Sequence, residues 1–202
     1  MKDAYRSIKA PVTHTLKIEG SKFIASAFPV DLRPQAEEIL KEIRKKYYDA
    51  THHCFAYGLG SERKDFRFSD DGEPSGTAGP KIFSAIESKD FSDILVVVTR
   101  YFGGTKLGVG GLGRAYFDSA NLALADAAVV SKVLTKELRI TFPYDETSRV
   151  MNALSRYSAK IIETLYEDDV TLHCSVRQGM VKEFTADLTD ITRGNIDFKT
   201  LR

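Results

Sequence analysis

Apolar and polar residues alternate with strand spacing at the start of the chain and with helix spacing soon after. Two segments rich in β-branched and aromatic residues, 14–19 and 22–30, flank a Gly-Ser pair and predict a β-hairpin. From residue 36 to residue 47 the apolar residues recur three or four positions apart, with charged residues between them, which predicts an amphipathic helix. The chain is therefore expected to open with a hairpin and a helix that packs on a sheet.

The same criteria predict the elements up to residue 130. A strand covers 51–58, a polar loop runs through 70–76, and a short helix follows at about 79–88. A strongly apolar strand is predicted at 93–102, and a helix rich in Ala and Leu at about 111–130. We expect the strands in the middle of this part and the helices on one side.

After residue 132 the pattern becomes compact and regular. The predicted elements are a strand, a helix, two strands, a helix and a strand, at residues 135–143, 145–157, 160–166, 170–177, 179–192 and 195–201. This βαββαβ order is the ferredoxin-like arrangement.

The glycines are distributed unevenly along the chain. Six of the fourteen lie between Gly103 and Gly113, and only two follow Lys132. The contrast favours two domains of different character, 1–131 and 132–202, in a chain of the α+β class.

The charge of the whole chain limits the kinds of partner that it can attract. Lys and Arg number 29 against 28 Asp and Glu, so the formal net charge is +1. A neutral chain does not coat nucleic acid or an anionic membrane indiscriminately, and any such partner must be bound by a local patch. The 43% share of hydrophobic residues excludes the disordered and collagen-like classes.

The sequence contains no segment typical of export or of membrane insertion. Residues 1–6 carry no apolar stretch of signal-peptide length, and the longest apolar run, 94–98, is too short to span a bilayer. We therefore expect a cytoplasmic protein with no membrane contact, in which the thiols of Cys54 and Cys174 are reduced.

The glycine-rich segment 103–113 is the first candidate for chemistry. Gly108, Gly110 and Gly113 fit the spacing G-x-G-x-x-G, but a dinucleotide fingerprint follows its strand directly, whereas this one begins several residues later. Two explanations stay open. The segment could hold an anion such as phosphate through helix N–H groups and nearby basic side chains, or it could be a tight strand-to-helix connection.

A His-His-Cys run lies on the predicted strand at 51–58. Alternation on a strand places His52 and Cys54 on one face and His53 on the other. A zinc site needs further ligands at compatible spacing, and a Cys-His nucleophile pair has no local signature here. Structural or surface-binding roles are therefore favoured, with no metal site and no catalytic residue.

Three carboxylates lie close together in the polar loop. Asp70, Asp71 and Glu73 could bind Mg²⁺ or act in acid–base chemistry, although Asp-Gly and Glu-Pro sequences are also common in turns. The loop is long and rich in small residues, so we expect a functional loop that packs near the glycine-rich segment.

Three motifs together resemble one known protein family. They are His52-His53-Cys54, the run FSDDGEPSGTAG at 68–79, and RYFGG at 100–104 followed by LGVGGL at 107–112. These motifs resemble the Impact family in its bacterial YigZ-type form, which has an Impact N-terminal domain and a small C-terminal domain that the βαββαβ tail matches.

The resemblance implies a fold and a general role. It implies a first domain like domain 2 of ribosomal protein S5 and a second like the ferredoxin-like domains of translation elongation factor G, a pair that suggests nucleic-acid or ribosome binding. Eukaryotic members act in translational control but carry a different additional domain, so their regulatory role does not transfer directly. The resemblance implies no catalytic residue set.

The leading hypothesis is a non-enzymatic, monomeric binding protein linked to translation regulation, with RNA, the ribosome or a translation-associated protein as partner and no cofactor. Its candidate anion or nucleic-acid site consists of basic and glycine residues: His52, His53, Lys81, Arg100, Gly103, Gly104, Lys106, Gly110, Gly111 and Arg114. The alternative is an enzyme or sensor of a phosphorylated small molecule that uses the segment Gly103–Arg114, with Asp70, Asp71 or Glu73 as Mg²⁺ ligand or base.

Overall fold

Strands and helices alternate along the chain in the computed structural model, which describes residues 3–201. The strands are β1 (Ala4–Ile8), β2 (Val12–Ile18), β3 (Ser21–Pro29), β4 (His52–Leu59), β5 (Asp65–Ser69), β6 (Ile94–Tyr101), β7 (Val129–Val133), β8 (Thr135–Phe142), β9 (Lys160–Tyr166), β10 (Val170–Arg177) and β11 (Asp197–Thr200). The α-helices are α1 (Arg33–Lys46), α2 (Gly79–Ser88), α3 (Gly108–Ala125), α4 (Thr147–Arg156) and α5 (Val181–Ile191). Within residues 3–201, no helix combines the length and the apolar character that a membrane crossing requires.

The chain forms two compact units. One is Tyr5–Lys132, and the other comprises the residues from Val133 on together with the segment that ends at Ala4. Each unit combines helices with an antiparallel sheet, which confirms the α+β class. The proposed ranges 1–131 and 132–202 stay a prediction, and residues 1, 2 and 202 of those ranges lie outside the described part of the chain.

The first unit is built on a five-stranded antiparallel sheet in the order β2-β3-β6-β4-β5. Its inner strands are apolar on both faces: Cys54 and Ala56 of β4 pack with α2 and α3, whereas Phe55 and Tyr57 pack with α1. The prediction of helices on one side is therefore wrong, because a strand that is apolar on both faces must be covered on both.

The sequence-based prediction omits β1, β5 and β7. Phe66 and Phe68 alternate with polar neighbours in β5, but the surrounding charges conceal this pattern. Because β7 begins at Val129 and pairs with β1, α3 ends at Ala125 rather than near residue 130. At its other end α3 starts at Gly108, earlier than the predicted start, so part of the glycine-rich segment is helical.

The second unit carries a four-stranded antiparallel sheet in the order β11-β8-β10-β9. Alternate residues of the inner strands, such as Ile140 and Cys174, form a core with α4 and α5. The predicted βαββαβ order is confirmed, because each segment of this part forms the helix or strand that its hydrophobic periodicity predicts.

Gly103 holds the connection from β6 to α3 against the first hairpin. A Cβ atom on Gly103 would lie 1.9 Å from the carbonyl carbon of Gly20, and the N–H of Gly103 donates to Oγ of Ser21 at 3.2 Å. Backbone meets backbone here, so a side-chain movement cannot relieve the contact. The position therefore requires glycine.

We expect Gly103→Ala to lower the free energy of unfolding by about 2–3 kcal/mol, because overpacking against backbone forces both segments apart. Urea unfolding followed by circular dichroism measures the change. Gly110→Ala is the matched control: a Cβ at this position in α3 meets nothing within 4 Å. That substitution should stabilise the protein by about 0.5–1 kcal/mol through helix propensity. Equal stability of Gly103→Ala and the parent would contradict the close contact.

Candidate functional site

The loop at 70–79 packs against the N-terminal turns of α3, as the sequence led us to expect. The two segments enclose a cavity of about 500 Å³, which we call the Lys81 cavity. The loop contributes residues 75–77, α3 contributes Gly110 and Arg114, and α2 contributes Lys81. The aliphatic part of Lys81 runs across α3, since a Cβ on Gly113 would lie 3.4 Å from Cε of Lys81. Both cations therefore lie along the first two turns of α3.

A second cavity, of about 340 Å³, lies on the other side of the same helix start, and we call it the Arg100 cavity. Glu73 of the loop, Arg100 of β6 and Lys106 contribute to its lining. Val109 lines both cavities, so they adjoin.

Asp70 fixes the shape of the loop. Its Oδ1 accepts hydrogen bonds from the N–H groups of Ala78 and Gly79, both at 2.9 Å, and its Oδ2 accepts one from Gly76 at 2.9 Å. The carboxylate thus binds the free N–H groups at the start of α2, where negative charge is favourable. Asp70 acts as a structural cap.

Asp71 holds the loop to β4 and α1. Its Oδ2 accepts the backbone N–H of His53 at 2.7 Å, and its Oδ1 accepts a hydrogen bond from Nη2 of Arg44 at 2.9 Å. Nδ1 of His52 lies 2.8 Å from the carbonyl oxygen of Asp71. These carboxylates and histidines are thus used in mutual contacts, and residues 3–201 contain no group of three His, Cys, Asp or Glu that could hold a metal ion.

Glu73 and Arg100 form an ion pair inside the protein. Nη1 of Arg100 donates to Oε1 of Glu73 at 2.7 Å, and the two side chains are only 6% and 4% exposed. The hydroxyl of Tyr116 in α3 donates to the same Oε1 at 2.7 Å. The Arg100 guanidinium lies between the rings of Phe23 and Phe102, at 5.3 and 5.4 Å from their centroids.

Cys54 lies beneath this ion pair and is unsuited to nucleophilic chemistry. Its Sγ is 3.3 Å from the hydroxyl oxygen of Tyr116 and 3.0 Å from the carbonyl oxygen of Asp70. Burial raises the pKa of the Cys54 thiol to about 12, so the thiolate is not formed near neutral pH. The same burial, with the neighbouring thiol and carboxylate, raises the pKa of Tyr116.

The cations of the predicted site fall into two groups. Lys81, Lys106 and Arg114 are exposed, and none of them forms an ion pair with another residue of 3–201. Arg100 is buried and paired with Glu73, and His53 is buried with its Nε2 at 3.1 Å from the carbonyl oxygen of Tyr47. Only the first group is free to bind a partner.

The glycines of the predicted site also differ in role. Gly104, Gly110 and Gly111 are exposed around the start of α3, whereas Gly103 is fixed against the first hairpin. The tight-connection explanation therefore holds for Gly103, whereas anion binding at the exposed glycines stays a prediction.

Two residues of this region, Tyr116 and Phe102, were not among the predicted site residues. Tyr116 is fully buried in a helix whose other buried residues are aliphatic or small, and a lone Tyr in such a helix is the available signal. Phe102 is 46% exposed directly after β6, where the sequence shows only the end of an apolar run.

Known sequences and structures similar to this chain cover it almost completely. The family model "Impact N-terminal domain" matches residues 19–124, and the model "Domain of unknown function (DUF1949)" matches residues 140–195. IMPACT family member YvyE of Bacillus subtilis is 34% identical over 98% of this chain and 92% of its own length. IMPACT family member YigZ of Escherichia coli is 34% identical over 93% of both chains. A crystal structure of a hypothetical protein, 31% identical, superposes with a TM-score of 0.76 over 100% of this chain and 99% of that one.

We expect Tyr116→Phe to lower the free energy of unfolding by about 1–3 kcal/mol, because it removes a hydrogen bond to a buried carboxylate. Urea unfolding measures the loss. Tyr101→Phe is a matched control, since its hydroxyl donates to Asp49 at 2.8 Å in an exposed position, and it should change stability by less than about 0.5 kcal/mol. Equal effects of the two substitutions would show that Tyr116 does not support the Glu73–Arg100 pair.

We expect His53 to make the protein less stable in mild acid. Burial lowers the pKa of His53. The hydrogen bond to the carbonyl oxygen of Tyr47 raises it, but by less, so the net shift is downward. The unfolded chain therefore binds a proton at this residue at higher pH than the folded chain does. The stability of the fold with a neutral His53 is fully present above the unfolded-state pKa of about 6.5, and it is lost as the pH falls below that value. Urea unfolding at pH 7.5 and 5.5 should show a smaller decrease for His53→Gln than for the parent, and equal decreases would contradict this assignment.

Proposed function

The chain belongs to the Impact family, and on that basis we propose that it is a non-enzymatic binding protein of the translation apparatus that holds RNA, free or ribosomal, by its phosphates. Three exposed cations, Lys81, Lys106 and Arg114, surround the start of α3 without an acidic partner among residues 3–201, and this observation carries the proposal. RNA is favoured over a protein partner because the local chemistry is that of an anion site.

The local positive charge contrasts with the neutrality of the chain. A net charge of +1 gives no long-range attraction for RNA. At the start of α3, however, the free N–H groups of the first turn add to the charge of the three cations. A phosphate is therefore bound at one place on the surface rather than over the whole protein.

Gly110 supports the close approach of a partner to the helix backbone. Glycine has a lower helix propensity than alanine, by about 1 kcal/mol in a helix interior and by less in the first turn, where Gly110 lies. A Cβ on Gly110 would meet nothing within 4 Å, so packing inside the chain does not require glycine there. A phosphate or ribose that contacts the backbone of α3 accounts for the missing side chain.

The carboxylates of the loop at 70–79 are arranged for holding the loop in place rather than for acid–base chemistry. Asp70 accepts three backbone N–H groups, and Asp71 bonds to His53 and Arg44. Carboxylates engaged in this way are poor Mg²⁺ ligands and poor bases. The alternative function, in which the loop acts on a phosphorylated small molecule, therefore retains only Glu73.

The link to translation comes from the family resemblance. The two domains resemble parts of ribosomal protein S5, which is a component of the ribosome, and of elongation factor G, which is a translation factor. Likeness of fold does not itself assign a function, so the cation cluster must be tested directly.

We expect the double variant Lys81→Glu with Arg114→Glu to bind a single-stranded RNA at least about tenfold more weakly than the parent, because phosphate contacts are lost and like charges introduced. Fluorescence anisotropy with a labelled mixed-sequence oligonucleotide measures the affinity. For the parent, log K should fall with log salt concentration with a slope of about −2, as three phosphate contacts to a single strand predict.

The control carries the same change of charge on the opposite face of the sheet. Lys45→Glu with Lys46→Glu lies in the last turn of α1, in the basic run that ends this helix. We expect it to bind RNA within about twofold of the parent at 0.15 M salt, where exposed charges more than about 8 Å apart are screened. Absence of RNA binding by the parent at low salt, or equal loss in the two double variants, would refute the proposal.

A further inference from the structure

The Arg100 cavity has walls that phosphate binding alone does not explain. They are mostly apolar and come from Pro74, Phe102, Leu107, Val109 and Leu112. Phe102 is 46% exposed beside these walls. An exposed aromatic ring beside an apolar cleft fits a ligand with a flat, apolar body.

The lining of this cavity includes a hydrogen-bond donor and an acceptor. Oε1 of Glu73 already accepts from Arg100 and Tyr116, but among residues 3–201 no group donates to its Oε2. Nε of Arg100 is buried and has no hydrogen-bond partner in the described chain. Both side chains line the cavity and are more than nine-tenths buried. Of these two atoms only Nε of Arg100 is a buried polar group without a partner, which is uncommon, and a ligand that carries both a donor and an acceptor would pair with Oε2 and Nε.

The lining of the cavity also includes an exposed cation and the start of a helix. The cation is Lys106, and the residues that begin α3, Gly108 and Val109, line the cavity as well. An ammonium group together with the N–H groups of a helix start binds phosphate. The lining of the cavity therefore combines groups that can hold an anion, a donor and acceptor pair, and apolar walls.

The size of the cavity limits the ligand. Small-molecule pockets usually measure about 300–1,000 Å³, and 340 Å³ is near the lower limit. A mononucleotide fits such a volume, whereas a dinucleotide cofactor does not.

We infer that the Arg100 cavity is a nucleotide subsite, in which a base inserts beside Phe102 with its polar edge toward Glu73 and Arg100 and its phosphate at Lys106. This inference extends the proposed RNA binding at the same helix start and rests on it where the nucleotide is part of RNA. A free nucleoside monophosphate and an unstacked nucleotide of single-stranded RNA present the same chemistry, and the experiment separates them.

The test uses 2-aminopurine, whose fluorescence is quenched when it stacks on an aromatic ring. One arm titrates the full-length protein into 2-aminopurine riboside 5′-monophosphate. The other arm uses a single-stranded RNA with one 2-aminopurine and an anisotropy label. Phe102→Leu should weaken binding about tenfold in the arm that shows quenching, as loss of base stacking predicts. The control is Phe66→Leu, whose ring is 51% exposed on β5 and does not line the cavity, and it should behave as the parent.

Each outcome decides one question. Quenching of the monophosphate that Phe102→Leu weakens supports the subsite for free nucleotides, even if the RNA does not bind and the proposed function fails. Quenching in the RNA arm alone supports the subsite for an unstacked base. If the RNA binds with salt-dependent anisotropy while 2-aminopurine is unquenched in both arms, the subsite is refuted and RNA binding stands. If neither probe binds, both are refuted.

Discussion

The ion pair between Glu73 and Arg100 is the contact on which the geometry of this region depends. It joins the loop after β5 to the inner strand β6, and Tyr116 connects α3 to the same carboxylate oxygen. Removing one partner of a buried pair leaves an unpaired charge and costs about 3–5 kcal/mol, so these three elements cannot easily shift past one another. The Arg100 cavity lies where these three elements meet, so its shape follows from this pair, and the Lys81 cavity is lined by the same loop and helix together with α2.

The acidic and basic groups around this pair differ in where they point. The carboxylates of the loop turn toward backbone N–H groups and toward Arg44, where they hold the loop in place. The side chains of Lys81, Lys106 and Arg114, near the start of α3, are exposed, and no ion pair within the described chain neutralises their charge. A chain with almost equal numbers of acidic and basic residues thus acquires a positive surface without a basic tail, because its acidic residues near this surface are used internally.

Local pattern predicts much of the fold, whereas contacts between distant residues determine the site. The first hairpin, α1 and the βαββαβ tail each follow from a hydrophobic period that one segment carries by itself. The start of α3 at Gly108 runs against the low helix propensity of glycine, and the pairing of β1 with β7 ends that helix early. Arg100 looked like a free cation in the sequence because its partner Glu73 lies 27 positions away, and Tyr116 lies 43 positions from the same carboxylate. The hydrophobic periodicity of a single segment contains no information about contacts between residues so far apart in sequence.

The two cysteines give the molecule a pair of internal reporters. The chain has two, and each compact unit contains one: Cys54 behind the ion pair and Cys174 in the core beneath α4 and α5. Both thiols are buried, and burial raises their pKa to about 12 and about 11. A thiol of this kind reacts with an alkylating reagent only when its surroundings open. The rates at which the native thiols are alkylated therefore measure the opening of each unit separately, in the unmodified protein and without an added label.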